Sequence, residues 1–274
     1  MKAATKAPHI AGLKLFDSCV TVGRLVRAGM GVCILPEDVL AIMDRYDIAE
    51  ALVHDNEARM VRPRSRGNRR ILEVAAGSDR LHPVWVLEPP ESPDPAAARA
   101  LVEEMLGEGV KVARLMMGVA PPLGWLWDDL LAALEEHRLP CMLDFAATSP
   151  SGPAGSTQGL PDAWAVDALR DLCLAHPGLP MVLSHASGGL GLSHPTLPLL
   201  RRVPNLHVDI TAVVDYWRKA ATELGPHRVF FATGMPFYDP GIFVSNVQYA
   251  HEINTEAKRA ICGGNLRRLI ACVR

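Results

Sequence analysis

The side chains able to move protons, hold charge or bind a metal fall at one kind of place in this chain: where a short apolar run breaks. Cys19 and Thr21 follow the run that opens "LKLFDS", and His54 ends "AEALVH". Glu88 ends "HPVWVLE", Arg114 and Met116 close "VKVARLM", and Asp144 sits in "PCMLDF". His185 ends "PMVLSH", Asp209 lies in "LHVDIT", and Gly234 follows "RVFFAT". A buried strand that ends in polar residues delivers them to a site. His185 suits a general acid or base, Asp144 can orient it or take a second proton, and Arg114 can hold a carboxylate or a developing oxyanion. Cys19, Asp144 and His185 are also S, O and N donors that could form a metal site. Cys19 assisted by His185 as a nucleophile is a further reading, although a lone cysteine at a strand end reads first as a small buried hydrophobe. Each residue has a structural reading too, since such side chains often bond local backbone. It is the ring as a whole that argues for a site.

Eight such runs alternate with segments whose apolar residues recur at helical spacing, such as "PEDVLAIMDRYD" and "DPAAARALVEEMLGE". Pro36 and the pair Asp94–Pro95 are helix starts. Eight strand-then-helix units predict an α/β chain folded as a (β/α)8 TIM barrel, one domain spanning 1–274. An open doubly wound sheet gives the same alternation. No Gly-rich dinucleotide fingerprint follows the first strand, however, and no phosphate-loop signature occurs. The loops at 146–160 and 186–194 are rich in Gly, Ser and Pro and follow strands, which puts them on the face where barrels keep their sites.

Hydrophobic residues make up 49% of the 274 and charged residues 21%, with a net charge of −2. That balance offers no field suited to nucleic acid or an anionic membrane. The run "RMVRPRSRGNRR" reads first as a solvated loop and second as an anion-binding one. No stretch approaches the roughly 20 apolar residues of a membrane span, and the amino terminus shows no leader-like apolar segment. The six cysteines lack CxxC spacing. They read as reduced thiols of a cytoplasmic protein.

Along nearly its whole length the sequence resembles amidohydrolase family 2 of the amidohydrolase superfamily. "FDSCVTVGR" falls where members have a D-x-H-x-H-x-G pattern, and "LPCMLDFA" where a strand ends in His. "GLPMVLSHASGG" resembles the strand ending in a His–x–Gly turn, and "RVFFATGMPFYDPG" falls where members read G-S-D-x-P-F. The resemblance implies a (β/α)8 barrel, hydrolase, lactonase or decarboxylase chemistry on small molecules, and frequent dimers. It also implies a divalent metal held by two His, a third His and an Asp, at positions that here carry Cys19, Thr21, Asp144 and Gly234. His185 matches a retained histidine.

Two functions follow as expectations. One is a metal-independent hydrolase, with no cofactor, that cleaves an ester, lactone or C–N/C–C bond of a small carboxylated molecule. Its catalytic residues would be His185, Asp144 and Arg114. The remaining strand-end residues Cys19, Thr21, His54, Glu88, Met116 and Asp209, with Met235 and Phe237, would line the substrate pocket. The other is an inactive relative that binds a small molecule or a partner subunit, its pocket softened by Met116, Met235 and Phe237.

Overall fold

The computed structural model describes residues 12–24, 33–90, 94–117, 119–120, 122–145, 163–184, 196–212 and 216–274. Every one of the eight apolar runs contributes to a strand. In chain order these are β1 (Leu15–Arg24), β2 (Cys33–Ile34), β3 (Ile48–Asp55), β4 (Leu81–Pro83), β5 (Trp85–Leu87), β6 (Ala113–Met116), β7 (Cys141–Asp144), β8 (Met181–Ser184), β9 (Leu206–Asp209) and β10 (Val229–Phe230). The short β2 is an antiparallel addition to the end of β1. The other pairings are parallel.

Two sheets result, ordered β2-β1-β3-β4 and β10-β9-β8-β7-β6-β5. The third run is divided between them at Val84. Its N–H bonds the Val53 carbonyl at 2.9 Å, while Trp85 N–H turns to the Val112 carbonyl at 3.4 Å. At the other seam Ser18 N–H meets the Phe231 carbonyl at 3.0 Å, and Thr21 N–H meets that of Met235 at 2.9 Å. Backbone hydrogen bonds thus cross both seams, as a (β/α)8 barrel requires.

The helices are α1 (Pro36–Tyr46), α2 (Asn56–Met60), α3 (Ser65–Ala76), α4 (Pro95–Gly107), α5 (Gly124–Glu136), α6 (Ala163–Ala175), α7 (Thr196–Arg202), α8 (Trp217–Leu224), α9 (Pro240–Gln248), α10 (Thr255–Arg259) and α11 (Asn265–Ala271). Both proline starts form as expected. Asp94 caps α4 through a bond from Ala96 N–H, and the Asp38 carboxylate accepts the Leu35 N–H at the head of α1. Such caps satisfy amide donors that the first turn leaves without partners.

Alternation along the strands sorts the side chains. Val53, Ala113, Leu115, Leu143, Leu183 and Val208 join the main core beneath the helices. Phe16, Leu52, Val84, Val112, Met142, Val182 and Phe230 form a separate cluster with Leu266 of α11. One residue per run is what a layer inside a small barrel looks like. His207 completes it from β9, edge-on to Phe230 at 5.4 Å. Burial pushes its imidazole down to about 3, so it sits there as a neutral ring. Each buried side chain in such a layer contributes about 1.5–3 kcal/mol. Two residues further along each strand come His54, Val86, Arg114, Asp144, Ser184 and Asp209. An apolar floor therefore fixes the positions of a polar layer directly above it.

Candidate functional site

Arg114 is the centre of that polar layer. It is 1% exposed, and its guanidinium makes three contacts inside the barrel. Nη1 donates to Asp144 Oδ2 at 2.9 Å, and Nη2 donates to Cys19 Sγ at 3.2 Å and Ser184 Oγ at 3.3 Å. Residues from β6, β7, β1 and β8 are thus tied together by one cation. Its Nε is buried without a hydrogen-bond partner among the described residues.

A second arginine reaches the same carboxylate. Arg59 of α2 donates Nε to Asp144 Oδ2 at 2.8 Å and Nη2 to Oδ1 at 3.3 Å. Its guanidinium also lies over the Phe237 ring, 5.8 Å from the centroid. Sequence reasoning missed Arg59, because it heads the run that a charge-pattern rule assigns to solvent. The structure corrects that reading for Arg59 and Arg64, while Arg62, Arg66 and Arg69 are exposed. Arg59 is 6% exposed, Arg64 turns back onto the Ala58 and Arg59 carbonyls, and the rest of the run opens α3. Glu88 belongs to this support rather than to the central cluster: Arg62 and Arg64 both bind its carboxylate.

On β1 the residues that meet other strand ends are Asp17, Cys19 and Thr21. Asp17 was not singled out from the sequence, yet it is fully buried and welds β1 to the segment after β10. Its Oδ1 accepts N–H from Cys19 and Thr233 at 3.0 Å each, and Thr233 donates its hydroxyl to Oδ2. Burial pushes Asp17 up to about 7, against those hydrogen bonds. Burial likewise pushes the Cys19 thiol up to about 11, with Arg114 working the other way. A thiol so placed is not a ready nucleophile at neutral pH. Thr21 Oγ1 lies 3.0 Å from His54 Nε2, and both residues are buried.

Asp209 ends β9 in a tight turn. Its Oδ1 accepts from Thr211 N–H at 2.9 Å, Thr211 Oγ1 at 2.6 Å and Ala212 N–H at 2.9 Å. Its Oδ2 is buried and has no hydrogen-bond partner among the described residues. Burial raises the Asp209 pKa, and Ser184, Thr211, Ala212 and Arg114 offset part of that rise. Met116 packs against Ala58 and Val86, and Met235 is buried in the main core. Gly234 adopts a φ of 65°, the left-handed region that suits glycine. His185 and the loops 146–160 and 186–194 lie outside the described residues.

The structure therefore brings together Cys19, Arg114, Asp144 and, unforeseen, Arg59 and Ser184. Thr21 and His54 form a neighbouring pair on β1 and β3. Among the described residues no cluster of three or more His, Cys, Asp or Glu is arranged to hold a metal ion. No helix among them is long and apolar enough to cross a membrane.

Comparison with known proteins agrees with the barrel. The family model described as amidohydrolase matches residues 27–271. An uncharacterised TIM-barrel protein from Bordetella bronchiseptica superposes with a TM-score of 0.69 at 19% identity, covering 94% of this chain and 98% of the other. 5-Carboxyvanillate decarboxylase from Sphingomonas paucimobilis gives 0.69 at 16% identity over 96% and 100% of the two chains. A zinc-bound amidohydrolase from Burkholderia multivorans gives 0.67 at 16% over 94% and 99%. At these identities the likeness establishes the fold alone. A search of curated proteins by sequence found no match.

Proposed function

Since the chain belongs to the amidohydrolase family, we propose that it is a hydrolase of small carboxylated molecules that works without a bound metal. The observation that carries this reading is the Arg114 guanidinium, held 3.2 Å from Cys19 Sγ and 2.9 Å from Asp144 Oδ2. Two of the four positions where the family resemblance implies metal ligands are thus bridged by a fixed cation. A divalent ion among them would face two buried arginines, and like charges a few Å apart inside a protein repel strongly. Thr21 is engaged with His54, and Gly234 has no side chain to offer. A Cβ at 234 would stand 2.9 Å from the Tyr238 ring. The residues present do not fit a metal.

What they fit is an anion. Arg59 and Arg114 both bind Asp144, and a substrate carboxylate or oxyanion is the group we assign to this pair of guanidinium groups. A preorganised guanidinium aimed at a developing oxyanion does in a dry site what a Lewis acid would otherwise do. His185, the residue that follows β8 in the sequence, is the proposed general acid or base. The reaction class is hydrolysis of an ester or lactone, or of a C–N or C–C bond, in a small carboxylated molecule.

The experiment is a panel of carboxylated esters and lactones assayed with and without a strong chelator, alongside elemental analysis of the purified protein. The expected result is turnover that survives chelation and falls about 10²–10⁴-fold in His185→Asn. Arg114→Met is expected to raise KM for anionic substrates. Activity that disappears with chelator and returns with zinc would overturn the reading. A panel with no turnover, but with anions still bound through Arg114, points instead to a non-catalytic binding relative. The close packing of Met116 and Met235 suits that second reading.

A further inference from the structure

Four acids at or beside the strand ends are fully engaged. Both oxygens of Asp144 accept from arginines. Asp17 accepts from two backbone amides and the Thr233 hydroxyl. Asp55 caps α2 and binds Arg70, and Glu88 binds Arg62 and Arg64. Asp209 differs. It is 0% exposed, its Oδ1 is saturated by the Thr211–Ala212 turn, and its Oδ2 has no hydrogen-bond partner among the described residues. The groups that act on it are those of the site: the Ser184 hydroxyl of β8 lowers its pKa by hydrogen bonding and Arg114 of β6 by its charge, and its own charge raises the pKa values of Asp17 and Cys19 on β1.

An unsatisfied buried carboxylate oxygen costs about 1–3 kcal/mol or more, and natural folds keep such an atom where a water or a ligand completes it. The Oδ1 contacts hold the carboxyl group rigidly, so Oδ2 is presented in one direction.

We propose that Asp209 is a catalytic residue, the base that takes the proton of the attacking water. The inference rests on the metal-free reading above, and in it His185 serves as the acid. Water oxygen bonds to the substrate carbonyl carbon as one water proton moves to Asp209 Oδ2. The oxyanion that forms is held by Arg114. When the carbon–oxygen bond to the leaving group breaks, His185 as the acid gives a proton to the departing oxygen, and the proton on Asp209 passes through solvent to restore it. An ester gives acid and alcohol, a lactone gives a hydroxy acid, and nothing is oxidised or reduced. A raised carboxyl pKa moves such a base toward the working pH, where it is more effective.

The probes are 4-acetoxybenzoate and acetylsalicylate, two esters that carry a carboxylate, assayed with chelator present. Asp209→Asn keeps the turn-capping oxygen and removes only the basic one. It is expected to lower kcat about 10²–10⁴-fold with KM within a few-fold of wild type. Thr211→Val loosens the Oδ1 cap but leaves Oδ2, and is expected to keep most of the turnover. Formate added to Asp209→Ala is expected to restore part of the rate, since it replaces a base and not a structural cap. Wild-type turnover in chelator matched by Asp209→Asn would overturn the proposal while sparing the metal-free reading. An equal loss in Thr211→Val, or no rescue by formate, would reduce Asp209 to a structural role. Wild-type protein that is inactive in chelator overturns both readings. If Asp209→Asn does not fold, formate rescue decides.

Discussion

Replacing Asp17 with asparagine should remove a large part of the pH dependence of stability. Burial holds the folded-state pKa near 7 against an ordinary value of 3.8. At about 1.36 kcal/mol per pH unit, that gap corresponds to about 4 kcal/mol. The folded chain binds this proton more tightly than the unfolded chain. The contribution is therefore complete below about pH 3.8 and is lost as pH rises through about 7. Asparagine keeps an oxygen for the Cys19 and Thr233 amides, which donate at 3.0 Å each. Its amide nitrogen must face Thr233 Oγ1, which then accepts instead of donating, at a cost of about 1 kcal/mol. The variant should match wild type within about 1 kcal/mol at pH 4 and exceed it by about 3 kcal/mol at pH 8. Urea unfolding followed by tryptophan fluorescence across that range measures both curves. Other titrating groups are common to the two proteins and largely cancel in the difference. Curves that stay parallel from pH 4 to pH 8 would show that Asp17 is not protonated in the fold and that the argument from burial is wrong.

Asp144→Ala leaves Arg59 and Arg114 buried without their shared acceptor and should cost about 3–5 kcal/mol, read as a lowered melting temperature. Adding Arg59→Met and Arg114→Met to it should recover much of that loss, and an unchanged melting temperature for Asp144→Ala alone would refute the ion-pair argument. A thiol reagent at pH 8 should modify the exposed Cys33 and Cys272 rapidly and leave Cys19, Cys141, Cys173 and Cys262 protected until denaturant is added. Burial holds the Cys19 thiol near 11 and the Cys173 and Cys262 thiols near 12. Rapid native labelling of Cys19 by mass spectrometry would revive its nucleophilic role. Gly234→Asp forces a side chain into a φ of 65° with its Cβ 2.9 Å from Tyr238. It should destabilise by about 1–3 kcal/mol, and a melting temperature equal to wild type would contradict that strain.

The barrel was legible because its signals are local. An apolar run such as "PMVLSH" is long enough to cross a small barrel and no longer, and Asp94–Pro95 announces a helix start within two residues. The site was legible in part for the same reason: a strand two residues past its apolar layer must present Arg114, Asp144 and Asp209 in the barrel mouth. What joins those residues was not legible. Arg59 meets Asp144 across 85 positions and Thr233 meets Asp17 across 216. Nothing in the spacing of either pair marks them as partners. The run beginning at Arg59 has the composition of a solvated loop. Arg59 itself is buried because α2 carries it against Asp144 on β7. Asp17 sits in an apolar-to-polar transition that any strand end could show, and its raised pKa exists only because the barrel seam closes over it. Local pattern determines which elements form and which way their side chains alternate. Which charges end up buried together depends on ring closure, which brings distant strand ends within hydrogen-bonding distance and excludes the water that would otherwise keep each charge independent.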